Sequence, residues 1–403
     1  MLLWSVFYGQ RVAGSGLAPY FTFSFPTLVA LIAAYGFLAS VLPVWLLLVP
    51  RDYLSSYMKL GTLSVLVIAI MLVNPELKIE AFTQFVYGGG PIIKGKVFPF
   101  VFITVACGAI SGFHSLIASG TTPKLIDKES DCRPIGYGAM LLEGLVGITS
   151  LVAAACLHPA DYFAINVPEA AFAKLGMTPV EIDLMSQLVG EKLRGRTGGS
   201  VSLAAGIAQI FSQLPGAKAL LGYFYHFIVM FEAVFILTTV DAGTRVARFL
   251  MQDILGRIDP KFSRHDYTPG VWLASILVVT FWGGFLYSGT ISTLWPLLGI
   301  SNQLLATTAL AVGTAFILRL HPGKRRYALV TAVPMIAVGC TTLTAGWQSI
   351  WHNFSRDPNR VKAVVNSGCT AILMCSCVLV LLTLGARAIS LSTSQDSRQD
   401  SAS

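Results

Sequence analysis

The sequence predicts an all-α, polytopic integral membrane protein, and three observations carry that prediction. Of 403 residues, 54% are hydrophobic and 12% charged, with a mean hydropathy of +0.69. A soluble domain carries about 25% charged residues. Apolar runs of about 20 residues, the length that crosses the hydrocarbon core as a helix, recur from end to end. They leave no stretch of soluble-domain composition. Runs such as LSVLVIAIMLV (63–73) are continuous rather than alternating, so they satisfy their backbone groups within helices and not in an outer-membrane barrel.

In chain order the apolar runs predict spans at 28–49, 54–73, 98–119, 136–158, 217–240, 270–288, 293–318, 327–350 and 367–386. That makes about nine crossings in one transmembrane domain over 1–390. The connection 159–216 holds an amphipathic piece, TPVEIDLMSQLVGEKL, and then SVSLAAGIAQIFSQLPG, which is short and moderately apolar and reads as re-entrant or interfacial. GTRVARFLMQDILGRI (243–258) has apolar residues at 246, 249, 250, 254 and 258 with arginines on other faces, and reads as a separate cytoplasmic interfacial helix. The closing STSQDSRQDSAS makes 391–403 a disordered polar tail.

The net charge of +8 is a topology signal, not a nucleic-acid footprint, because the basic residues gather in short loops. Arg245, Arg248, Arg257, Lys261 and Arg264 fall in one such loop, and Arg319, Lys324, Arg325 and Arg326 in another. With nine spans both are cytoplasmic, which puts the N-terminus outside and the C-terminus inside. The opening MLLWSVFYGQ lacks the basic region and small-residue cleavage site of a signal peptide, and reads as the tail of an apolar segment. Seven cysteines lie mostly in or beside apolar spans without metal spacing, and read as small packing residues.

GAISGFHSLIASGTTPK (108–124) is the first stretch that carries chemistry. Gly108, Gly112 and Gly120 weaken the helix, Pro123 stops it, and Ser111, Ser115, Ser119, Thr121 and Thr122 offer hydroxyls beside His114. A broken helix at membrane depth is tolerated where it is buried in protein or lines a cavity, and transporters place substrate and ion sites at such breaks. Close helix packing through the same small residues is the competing reading. In TLWPLLGISNQLLATTALAVG (293–313), Pro296 and Gly299 predict an interruption, and Asn302 with Gln303 either bridge helices or meet a polar substrate.

Glu143, Glu232 and Asp241 place acids within spans, where an ionised carboxylate is expensive and is paired, protonated or functional. They are the candidates for proton coupling, Glu143 foremost, with Asp241 also open to pairing with Arg245. Arg51 and Asp52, just beyond the first span, either pair in the turn or gate a cavity. The chain has no Walker loop, no H-E-x-x-H, no C-x-x-C and no G-x-G-x-x-G. An ATP-driven pump and a membrane metalloprotease thus lack their chemistry, and no enzyme activity, cofactor or metal is expected.

At ASVLPVWLLLVPRDYLSSYMKLG, FVFITVACGAISGFHSLIASGTTPKLI, MLLEGLVGITSLVAA, VDAGTRVARFLMQD and ISTLWPLLGISNQLLA, the chain closely resembles the carbon starvation protein A (CstA) family of prokaryotic inner-membrane transporters. The resemblance runs from about residue 18 to the last span. It implies secondary uptake of small peptides or pyruvate during carbon limitation, driven by protons, and kinship with the amino acid, polyamine and organocation superfamily. That kinship implies a LeuT-like core of inverted repeats with broken helices. Family members are longer at the N-terminus, so the chain corresponds to the C-terminal part of such a protein and the core is expected to be incomplete there. Residues 111–122 with Asn302 and Gln303 would line the site. The expected partners are the substrate, H+ and lipid; a homo-oligomer is left open. The alternative is a truncated relative that binds ligand without moving it, as a membrane sensor or assembly subunit.

Overall fold

Prolines and glycines, more than hydrophobicity, decide where the helices stop. The computed structural model describes residues 2–93, 95–120, 122–288, 291–320, 326–356 and 360–400, and every regular element among them is helical. Helices of eight residues or more are α1 (Leu2–Ala13), α2 (Phe25–Val41), α3 (Leu48–Val73), α4 (Val97–Val105), α5 (Gly112–Gly120), α6 (Ala139–Ala155) and α7 (Pro159–Asn166). They continue as α8 (Ile182–Val189), α9 (Ser200–Ser212), α10 (Leu221–Gly256), α11 (Thr268–Ser288), α12 (Ile291–Leu320), α13 (Leu329–Arg356) and α14 (Arg360–Asp400).

Seven of the segments read as spans are long and apolar enough to cross a membrane: 48–73, 129–155, 218–256, 268–288, 297–320, 326–352 and 363–386. The all-α polytopic class therefore holds, and the two remaining spans differ. The predicted helix 28–49 ends at Val41, because the residue before Pro43 is driven out of the helical region, and Leu42 is extended. The predicted span 98–119 is two short helices, α4 and α5, joined by a tight turn and three non-helical residues.

Two compact units form, Met1–Thr83 with Gly120–Thr290 and Gln84–Ser119 with Ile291–Ser403. In the first, the core gathers around α9, whose Ala204, Ala205, Ala208 and Ile210 are completely enclosed. At about 20 Å α9 is too short to cross, and it lies among α3, α6, α7 and α10 rather than on a surface. The interfacial alternative for this segment thus gives way to an enclosed helix. Gly206 makes the packing possible, since any Cβ there would collide with the Ala153 carbonyl of α6. Ahead of α8, Asp161 accepts backbone N–H bonds from Val180, Glu181 and Ile182 at 2.8–3.3 Å, capping the helix whose apolar face of Ile182, Met185 and Val189 completes the core.

Helix α10 corrects another expectation. Its 36 residues run unbroken from the span through the segment read as a separate interfacial helix. At 1.5 Å per residue it is about 54 Å long, well beyond a hydrocarbon core of about 30 Å. In the second unit α12, α13 and α14 pack on one another and on α4 around Ile103, Ile300, Leu304, Ala345 and Cys377. The interruption expected at Pro296 and Gly299 does not occur: α12 is helical throughout. Gly299 serves a close approach to the Ile103 carbonyl. Helix α14 carries helical backbone through Asp400, into the segment read as a disordered tail.

Candidate functional site

The break between α4 and α5 is held by side chains that the sequence brings from two places. Where α4 ends, a turn at Ala106–Gly108 leads to Ser111, whose Oγ accepts from the His114 N–H at 3.2 Å and so caps α5. The Phe113 N–H, also left without an intrahelical partner, donates to Asn302 Oδ1 of α12 at 2.8 Å. Within the non-helical residues of the break, Gln303 Nε2 donates to the Ile110 carbonyl at 3.0 Å. Adjacent carboxamides thus hold the interruption and the start of α5, one as donor and one as acceptor. Gly112 lets the backbones meet, because a Cβ would strike the Asn302 carbonyl. Asn302 Nδ2 is enclosed here without a hydrogen-bond partner among the described residues.

Of the hydroxyls expected to line this place, Ser115 and Ser119 bond back to the carbonyls of Gly112 at 2.6 Å and Leu116 at 3.2 Å. Ser111 also accepts from the Cys107 thiol at 2.8 Å, and His114 Nδ1 lies 3.8 Å from the same sulfur, with His114 exposed. Thr122 starts a short turn and its carbonyl accepts from Leu125 and Ile126. Thr121 lies outside the described residues.

The three acids occupy three different environments in the first unit. Glu143 on α6 is exposed, so the expectation of a carboxylate enclosed in its own span does not hold for it. Its helix turns few of its residues inward. Glu232 is half-buried, with Oε2 enclosed and without a hydrogen-bond partner among the described residues. Asp241 is completely buried. Its Oδ2 accepts from the Tyr35 hydroxyl of α2 at 3.0 Å and lies 2.9 Å from Arg51 Nη2 of α3.

Around that pair a polar cluster has formed that the sequence reading did not assemble. Arg51 reaches the Tyr35 hydroxyl at 2.7 Å, Asp52 Oδ1 at 2.7 Å and Thr238 Oγ1 at 3.1 Å, so the pairing with Asp52 that the sequence offered as one of two readings is made. Lys59 donates to Thr238 at 3.2 Å. Where α2 stops before Pro43 its last carbonyls are free, and Arg245 and Arg248 of α10 take them: Arg245 bonds Ala39 and Leu42, and Arg248 bonds Ser40 at 2.6 Å. Asp241 pairs with Arg51 rather than serving Arg245 as a cap, and these arginines face inward rather than toward an interface. The signal was present: Thr238, Asp241, Arg245, Arg248 and Gln252 follow one another by three or four residues and make one stripe down a helix. Charge in that stripe reads as a solvated face unless the free carbonyls of a neighbouring helix end are known.

Long apolar helices, with an interrupted helix and buried charge among the described residues, define a multi-pass helical membrane protein. The chain belongs to the carbon starvation protein CstA family, whose sequence pattern matches residues 1–345. It is 46% identical over 373 residues to the peptide transporter CstA of Bacillus subtilis, covering 93% of this chain and 62% of that one. To the peptide transporter CstA of Escherichia coli it is 43% identical, covering 87% of this chain and 54% of the relative. To the pyruvate/proton symporter BtsT of Escherichia coli it is 40% identical, covering 86% and 54%. The chain thus spans between half and two thirds of the length of these relatives, all named as transporters. No solved structure matches it.

Proposed function

We propose that this chain forms the transport region of a proton-coupled carrier that takes up small peptides or pyruvate across a prokaryotic inner membrane when carbon is scarce. The single observation that carries the reading is the stapled break between α4 and α5 in a member of a family whose relatives are named for peptide and pyruvate transport. An interrupted helix frees backbone groups for a polar ligand, and such interruptions mark the sites of LeuT-like carriers. Ser111, His114 and Asn302 are the side chains we assign to that ligand, with Gln303, Ser115 and Ser119 shaping the backbone and Thr121 and Thr122 following the break. Proton coupling is assigned to Asp241, the most enclosed of the three acids, with Glu232 on the same helix second and Glu143 last. The N-terminus is placed outside and the C-terminus in the cytoplasm on the distribution of Arg and Lys.

Proteoliposomes holding the full chain test this directly. Inward-directed proton gradients are expected to drive accumulation of labelled dialanine or pyruvate, and collapsing the gradient with an ionophore to abolish it. Binding without exchange in a counterflow assay would instead make the chain a ligand-binding sensor or assembly subunit.

A further inference from the structure

The hub of the buried cluster is a guanidinium with one nitrogen that has more acceptors than hydrogens to give and another that has none. Arg51 Nη2 carries two hydrogens and has three oxygens in reach, on Asp52, Asp241 and Thr238. Its Nε–H is enclosed and has no hydrogen-bond partner among the described residues. Asp241 is therefore held through one oxygen on one nitrogen, and its own Oδ1 is enclosed without a partner. A guanidinium binds a carboxylate best through two parallel bonds, and the Nε–Nη2 edge of Arg51 offers that fork. The ion pair in place is thus the weaker, one-point version of a pair that a second carboxylate would make better.

We propose that Arg51 is the receptor for the carboxylate of the transported substrate, and that Asp241 occupies it until Asp241 takes up the coupling proton. This rests on the proton-coupled uptake proposed above and names the shared chemistry of its two substrates, since pyruvate and a peptide C-terminus each present one carboxylate. The proton comes from water and goes to Asp241 Oδ1, the substrate enters as its anion, and no covalent bond other than that O–H is made.

Charge balance makes the two events one. The groups facing Asp241 are Tyr35 from α2, Arg51 and Asp52 from α3, and Arg245 on α10 itself. Lys59 and Arg248 stand next in the cluster; of the other elements packed on α10, α9 and α11 carry no charged residue, and the Arg11, Asp183, Lys218 and Lys261 carried by α1, α8 and the turns Lys218–Leu220 and Pro260–Ser263 are not among the groups acting on Asp241. In the set that faces Asp241 directly, Arg51 and Arg245 balance Asp52 and Asp241, so neutralising Asp241 alone would leave a positive charge there and admitting an anion alone a negative one; each is expensive away from water. Both together leave the charge of the cluster unchanged. Arg51 and Asp52 keep 20% and 31% of their side chains exposed while Asp241 keeps none and Arg51 Nε is enclosed, so the Nε–Nη2 edge becomes available only once Asp241 releases Arg51.

The test mixes the purified full chain, in lipid nanodiscs and weak buffer with a pH indicator, with pyruvate, dialanine or dialanine amide. Pyruvate, dialanine or both are expected to bind with uptake of close to one proton, identifying which source of the carboxylate is used, and the amide is expected not to bind. Asp241→Asn should bind the same acid with no proton uptake and a Kd independent of pH. Arg51→Gln should weaken binding by roughly tenfold or more, the loss expected for a charged hydrogen-bond pair, and Arg51→Lys, which keeps charge but not the fork, by less. Where a variant does not fold, the wild-type Kd alone decides, since it must tighten as pH falls. Wild-type proton uptake in Asp241→Asn, unchanged binding in Arg51→Gln, amide binding equal to acid, or a pH-independent wild-type Kd would each overturn the proposal. If the wild type still accumulates substrate in proteoliposomes, only this inference falls; if it neither binds nor accumulates either acid, the functional reading falls with it.

Discussion

Asp161 and Asp241 are two aspartates buried to nearly the same degree, 2% and 0% exposed, in the same unit, and they are treated in opposite ways. Asp161 receives backbone N–H bonds on both oxygens from the start of α8 and is fully used. Asp241 has one oxygen shared between Tyr35 and Arg51 and the other without a partner among the described residues. A buried carboxylate whose oxygens are all satisfied is a structural part. One left half-satisfied next to a countercharge that it shares with other acceptors is expensive to keep, and that expense is the mark of function.

Removing each acid should separate the two roles. Asp161→Ala strips three backbone donors of their acceptor, each bond to a charged group being worth about 1.5–3 kcal/mol, so a loss of roughly 3 kcal/mol or more is expected. Thermal unfolding followed by a thiol-reactive dye reads it in a background where the other six cysteines are replaced by serine, because Cys156 is enclosed in the native fold beside this region while Cys107, Cys132, Cys340 and Cys375 are exposed. A midpoint within a degree of wild type would show that the cap carries no stability. Asp241→Asn, by contrast, keeps an acceptor for Tyr35 and leaves Arg51 its bond to Asp52, so its unfolding midpoint should move less than that of Asp161→Ala.

The helices of this protein were legible because a hydrocarbon-length apolar run has few other readings, and the break at 108–112 was legible because glycine and serine concentrate there. Asn302 and Gln303 were recognised as carboxamides in need of partners, but only the fold shows that those partners are backbone groups of the break and of the start of α5. Glu143 is exposed although central in its span, because a central position says nothing about which side of the helix the neighbours cover. Arg51, Tyr35 and Asp241 come from three helices far apart in the chain, and no local pattern brings them together.

Smaller effects sharpen the same contrast between satisfied and exposed polar groups. Asn302→Ala removes one helix cap and should cost about 0.5–2 kcal/mol; by disordering the start of α5 it should also slow uptake, and wild-type rates would remove the staple from the mechanism. Glu143→Gln alters an exposed side chain, so stability should stay within about 0.5 kcal/mol of wild type. Proton-driven uptake should persist in that variant, and its loss would return the coupling role to Glu143 and undo the assignment to Asp241.

The smallest effect belongs to the charged rim outside the spans. Lys192 lies 2.6 Å from Glu169, and its hydrogen bond and charge hold the Glu169 carboxyl below its ordinary range. A depressed carboxyl contributes stability above its unfolded value and loses it as pH falls through the folded one. Both side chains are more than half exposed, so solvent screens the pair and 0.5 M salt should erase most of what it contributes. Lys192→Ala should return the Glu169 titration toward its ordinary value, read by carboxyl-carbon NMR, without a measurable change in unfolding midpoint at neutral pH. A clear drop in that midpoint would mean that an exposed pair here behaves like Asp161, and exposure would no longer separate the groups that hold this fold from those that merely decorate it.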